Sequence, residues 1–149
     1  MKRATFVALG TGAVIGSAAA IGIGSSDAAT IPELSRSAYE DGLIRIAASR
    51  GNALAQCDAL DASQRDLCRV QATSDATVRT AELEERYRRD DGTARAAQRA
   101  RIDARYEIAR ARCQPLKGFR RDKCLIQAHA ARGRALLQAN APYQRANAN

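Results

Sequence analysis

The sequence predicts an all-α protein: two disulfide-stapled antiparallel helical hairpins, their four helices forming a bundle or an extended hairpin array. Three observations lead there. Ala, Arg, Glu, Gln and Leu dominate after residue 30, and these are strong helix formers. The chain matches itself without gaps when shifted by 56 positions. Its four cysteines fall as two pairs, "CDALDASQRDLC" from Cys57 to Cys68 and "CQPLKGFRRDKC" from Cys113 to Cys124. Apolar residues make up 46% of the chain, but aromatic residues only 4%, with no Trp. Much of the apolar content is alanine, which buries little area, so the expected core is thin.

The first residues read as a targeting segment. Met1-Lys2-Arg3 is a short positive start, the run from Ala4 to Gly24 carries no charge, and "SSDAAT" follows. This is the three-part layout of a secretory signal peptide. Small residues at Ser26 and Ala28 suit cleavage after Ala28. The expected organisation is a leader over residues 1–28, a first hairpin repeat over 29–92, and a second over 93–149 with a frayed tail. A retained anchor is the alternative, since the run is about long enough to span a bilayer. Its Gly, Ala and Ser content makes it weakly hydrophobic, so no stable membrane span is expected after cleavage. Export would put the protein in the periplasm and its cysteines in an oxidising compartment.

The 56-residue shift superposes Cys57 on Cys113, Leu60 on Leu116, Arg65-Asp66 on Arg121-Asp122, Cys68 on Cys124 and Gln71-Ala72 on Gln127-Ala128. Ile46 also meets Ile102, Ala53 meets Ala109, and Tyr87 meets Tyr143. The first helix is expected over about 33–58, with Leu43, Ile46, Ala53, Cys57 and Leu60 on one seam that Arg50 interrupts. Leu60 is expected to pack at the turn. Ser63-Gln64-Arg65-Asp66 reads as a capping box opening a second helix over about 64–89. Val70, Val78, Ala81 and Leu83 give that helix a diffuse apolar face.

"RDDGTAR", from Arg89 to Arg95, breaks the chain between the copies, with Gly92 as the stop and Thr93 as the cap. A third helix is expected over about 94–115. There Ile102, Tyr106, Ala109, Cys113 and Leu116 step by four, three, four and three, a single seam. Pro115 falls near its end and Gly118 supplies the stop. The fourth helix, about 120–139, has Phe119 where the first copy has Ser63, and so a weaker cap. Ile126, Ala130, Leu136 and Leu137 form its diffuse face, and "NAPYQRANAN" reads as frayed.

Each cysteine pair needs the chain to reverse. Along one helix, eleven steps would separate the Cα atoms by roughly 16 Å, whereas a disulfide spans about 4.4–6.8 Å. The repeat favours Cys57–Cys68 and Cys113–Cys124, because each unit then closes itself. Spacing alone leaves crossed pairs between the copies open. A zinc or redox site would want closer ligands, such as C-x2-C, and the sequence has none. His129 is the only histidine, and a lone His on a helix is more often a surface or packed residue than a ligand. No metal or cofactor is expected.

Charge divides between the copies. Residues 29–92 hold nine Lys and Arg against twelve Asp and Glu, a net of −3. Residues 93–149 hold thirteen against three, a net of +10. Arg95, Arg99, Arg101, Arg105, Arg110 and Arg112 crowd the third helix, and Arg120, Arg121 and Lys123 follow at the next turn. One reading is a solvated basic surface partly paired with Glu82, Glu84, Glu85, Asp90 and Asp91 of the first copy. The other is a site for a polyanion, either an anionic envelope component or an acidic partner protein. Nucleic acid is not expected after export, and no aromatic stacking platform accompanies the arginines. No nucleophile–base pair or catalytic motif is present, so a non-enzymatic protein is expected.

The repeated pattern C-x2-L-x-[GA]-x2-R-D-x-C-x2-Q-A, following an Ala-rich helix, resembles a group of small exported proteobacterial proteins. They carry one or two such units behind a signal peptide and are labelled TolA-like or cell-envelope biogenesis proteins. The resemblance covers roughly residues 39–140 and implies a periplasmic helical protein, with no site to carry over. Arg stands here where such proteins often have Lys, and Phe119 replaces a polar cap. The reading that follows is a periplasmic binding or scaffolding protein of the cell envelope. Polyanion binding through the second repeat is the alternative, and a thiol-redox or metal-responsive envelope factor is a third.

Overall fold

A computed structural model describes residues 33–146. The leader expected over residues 1–28 lies outside the described residues. The first helix, α1, spans Arg36–Asp58; α2 spans Ala62–Arg88; α3 spans Asp91–Cys113; and α4 spans Gly118–Ala146. Ser35 opens α1: its backbone is extended and its Oγ accepts from the Ala38 N–H at 3.2 Å. Among the described residues no helix is long and apolar enough to cross a membrane.

The turns carry the main differences from expectation. Between α1 and α2 the chain needs only residues 59–61 to reverse. Ser63 therefore falls inside the first turn of α2 and is no cap; Asp61 holds that position, without a side-chain capping bond. Its carbonyl accepts from Gln64 and Arg65 N–H groups at 2.9 and 2.8 Å. Leu60 does not pack; its side chain is exposed, while its carbonyl accepts from Arg65 Nη2 at 2.9 Å. Between the copies the stop is Arg89, not Gly92. Arg89 takes a left-handed φ of 53° and donates its N–H to the Glu85 carbonyl at 2.9 Å. The cap is Asp90, not Thr93: its carboxylate accepts from the Thr93 N–H at 2.8 Å. A carboxylate outcompetes a hydroxyl here because it also meets the positive end of the helix.

In the third turn α3 ends at Cys113, ahead of Pro115, where no further N–H can continue the ladder. Gly118 is therefore not the stop for α3. Its φ of +51° turns the chain into α4, a conformation that costs an L side chain energy and glycine nothing. The tail expected to fray is helical as far as Ala146. Pro142 does not end α4, although it supplies no backbone N–H to the helix there.

Each helix packs on the next in sequence, α1 on α2, α2 on α3 and α3 on α4. Among the described residues no non-consecutive helices approach closely. The four helices thus form the extended array, an open single layer, and not a closed bundle. Such a layer buries little. Ile46, Ala76 and Leu83 make a cluster, with Leu34, Tyr39 and Leu43 against it. Ile102, Ala97 and Ala128 are buried further on. The α4 face differs from expectation: Ile126 and Leu137 point out to solvent, while Leu125, Ala128 and Leu136 turn toward α3. Gly42 is a contact that the apolar pattern does not reveal. A Cβ there would lie 2.7 Å from Leu83 Cδ2, so the absence of a side chain lets α1 and α2 close together.

Two disulfides close the hairpin ends, Cys57–Cys68 and Cys113–Cys124, with Cα separations of 5.5 and 5.7 Å. In the loop-entropy model each contributes about 3 kcal/mol. That equals the burial of one large aliphatic side chain, about 1.5–3 kcal/mol. With Ile46, Leu83 and Ile102 the only bulky aliphatic residues buried among the described residues, the crosslinks are a principal source of stability.

Candidate binding surface

All four cysteines are consumed in the disulfides, and no cysteine is free. Cys57 and Cys113 are completely buried. Asp58 and Arg69 pair across the first hairpin beside its crosslink, at 2.5 Å. The Asp58 carboxylate raises the Arg69 pKa above its ordinary value, first through the hydrogen bond and then through its charge. Two closed disulfides are the chemistry of an oxidising, extracytoplasmic environment.

The other end of the first hairpin is filled by an aromatic pair. Tyr39 stacks on Tyr87 with ring centroids 4.4 Å apart, and its hydroxyl donates to Glu84. That bond to a carboxylate, with burial second, holds the phenol pKa above its ordinary value. In the second copy Arg95 stands at the position of Tyr39, Ala139 at that of Leu83, and Asn140 at that of Glu84. These smaller or polar replacements leave a cleft of about 370 Å³ between α3 and α4. Its floor includes Ile102, Leu136 and Ala139, and Arg95 and Arg99 line it. The substitution pattern was available in the repeat alignment; only the structure shows that it opens space.

The basic residues singled out in the sequence separate into groups. Arg101 bridges the copies: its Nε donates to Glu82 at 2.7 Å and its Nη2 reaches Glu85 at 3.5 Å. The Glu82 bond comes first in raising its pKa above the ordinary value. Arg110 pairs with Glu107 at 3.5 Å, and Arg121 donates to Gln114 Oε1 at 3.3 Å. Glu84 pairs with Arg88 within the first copy, and Asp90, also paired with Arg88, meets the second copy only as the cap on Thr93 and not as a partner of its basic residues.

At about 100° per residue these contacts fix the two faces of the α3–α4 hairpin. One carries Asp103–Arg132 at 2.7 Å, Glu107–Arg110, and Tyr106 with its hydroxyl 3.2 Å from His129 Nε2. Arg132 also lies 5.0 Å over the Tyr106 ring. The opposite face carries Arg105 and Arg112, two turns apart on α3, with Arg120, Lys123 and Arg134 on α4. All five are exposed. Among the described residues none of the five has an ion pair or hydrogen bond. Arg134 was not singled out in the sequence, since only the orientation of α4 places it on this face. The chain matches no family model, no curated protein and no solved structure.

Proposed function

We propose that the protein is a non-enzymatic binding or scaffolding component of the cell envelope, working in the periplasm after removal of residues 1–28. The observation that carries this is the architecture. A disulfide-closed layer one helix thick offers both broad faces to partners while its crosslinks reinforce a thin core. The leader's three-part layout and the resemblance of the C-x10-C turns to exported envelope proteins support the same reading. Each cysteine sulfur is already bonded, so a thiol-redox or metal-responsive role would first need a disulfide opened. The test is cell fractionation with mass determination. Recovery from the osmotic-shock or envelope fraction, beginning at Ala29 and accompanied by an envelope component on native purification, is expected. Recovery of the full-length chain from the cytoplasm would overturn the proposal.

A second reading, binding of a polyanion, is favoured by the unpaired basic face. Arg105, Arg112, Arg120, Lys123 and Arg134 form a field that no acid among the described residues pairs with. An anionic glycolipid or a polysulfated chain would fit it through charge, and such binding would fall steeply with salt. Retention on immobilised heparin at low ionic strength, lost at moderate salt, is the expected result. Absence of retention at low salt would remove this reading and leave the first intact.

A further inference from the structure

The two ends of the helical layer are not equivalent to capped ends of a repeat array. Terminal units of such arrays normally present a polar outer face to water. Here the outer face of α4 presents Phe119, Ile126 and Leu137, which are 80%, 67% and 70% exposed. Their spacings of seven and eleven residues put all three on one line down the helix, opposite the side that meets α3.

The repeat shows what such a face is for. On α2 the residues at the equivalent positions include Val70, Ser74 and Ala81. They lie at helical steps from Glu85, which reaches Arg101 of α3, so this is the α2 face that packs on α3. Ser74 is buried there, with Val70 and Ala81 half-buried. Their counterparts on α4, Ile126, Ala130 and Leu137, are exposed. On the other side of the internal junction, Ala100, Ala104 and Ala111 of α3 pack toward α2. Their counterparts on α1 are Ile44, Ala48 and Ala55, also exposed, with Ile44 at 67%.

We propose that a second copy of this chain docks head to tail, its α1 on the α4 of the first, repeating the α2–α3 junction between molecules. The two faces are complementary in shape, since the small Ala48 and Ala55 beside Ile44 on α1 leave room for Ile126 and Leu137 of α4. They are complementary in charge, since the α1–α2 copy carries −3 and the α3–α4 copy +10. Carrying over the register of Arg101 against Glu82 sets Leu137 between Ile44 and Ala48, and Lys123 near the α1–α2 turn that holds Asp61. Gln138 replaces Glu82 at the new junction, so the internal ion pair gives way there to a neutral acceptor facing Arg45. A head-to-tail contact of this kind is not self-limiting and builds a linear series. It is independent of the proposed envelope role.

Sedimentation of the disulfide-intact chain over a range of concentrations tests it. Dimers, trimers and longer species should grow in with concentration. Leu137→Asp removes the α4 face and Ile44→Asp the α1 face; both sites are exposed, and circular dichroism should show each variant folded. Each variant alone should be monomeric, and an equimolar mixture should give a dimer and nothing larger, because one intact face of each kind remains. A chain that stays monomeric at every concentration would overturn the proposal. So would an Ile44→Asp variant that still dimerises by itself, the mark of a symmetric α4–α4 contact, or binding of the monomer to anionic vesicles in place of self-association.

Discussion

Arg101 of α3 donates to Glu82 of α2 at 2.7 Å and reaches Glu85 at 3.5 Å, so a cation of the basic copy is held by acids of the acidic one. The three side chains are 34–41% exposed, which limits what the pairing contributes. Solvent screening keeps such pairs to about 1 kcal/mol or less. A double-mutant cycle with Arg101→Gln and Glu82→Gln should give a coupling of a few tenths to about 1 kcal/mol, shrinking as salt is raised. The junction should survive, because Ala97, one turn from Arg101, is fully buried beside it.

Gly42 should tolerate no side chain. With a Cβ 2.7 Å from Leu83 Cδ2, Gly42→Ala must displace a buried residue and is expected to cost about 1–3 kcal/mol in denaturant unfolding. Gly51→Ala and Gly133→Ala meet nothing within 4 Å and should instead stabilise by about 0.5–1 kcal/mol. Gly118→Ala has open space too, but its φ of +51° makes it destabilising by about 1–2 kcal/mol.

Asp90 ties stability to acid pH. Its hydrogen bond from the Thr93 N–H, helped by the charge of Arg88, holds its pKa below the ordinary carboxylate value. A carboxylate with a depressed folded pKa stabilises fully above its unfolded pKa. That contribution fades as pH falls through the folded value, because the unfolded chain binds the proton first. Asp90→Asn should keep the cap and lose this part of the pH dependence. Asp90→Ala should lose both, with a lower melting midpoint at neutral pH.

The crosslinks should decide whether the fold survives. Replacing Cys57 and Cys68 together by Ser is expected to cost about 3 kcal/mol, and the Cys113–Cys124 pair the same. Their sum is comparable with the whole stability of many small domains, about 5–15 kcal/mol. The fully reduced chain should therefore lose a cooperative melting transition by circular dichroism, while the oxidised chain shows one.

The helices and the hairpin pairing were legible because they rest on signals that recur along the chain. The four-three stepping of Ile102, Tyr106, Ala109 and Cys113 needs no tertiary context, and all four turn inward. The repeat likewise favoured the two disulfides that form. Turn chemistry is less legible, because several residues compete for each role. Ser63 and Thr93 are good caps in isolation, but the position of each reversal gave the place to Asp61 and Asp90. The inward face of α4 is not legible in the sequence, because the helix is apolar on two sides. Which of Leu125 and Ile126 turns inward depends on where α3 lies. Among the basic residues, the sequence showed the crowd but not its division, since pairing of Arg101 with Glu82 and of Arg132 with Asp103 depends on helices meeting in space.

The most direct measurement is thiol trapping of the protein in intact cells, followed by disulfide mapping of the recovered chain. No alkylated cysteine, with peptides linked as Cys57–Cys68 and Cys113–Cys124, is expected of a stapled hairpin layer in an oxidising compartment. Four alkylated cysteines, or links that cross between the two copies, would contradict it.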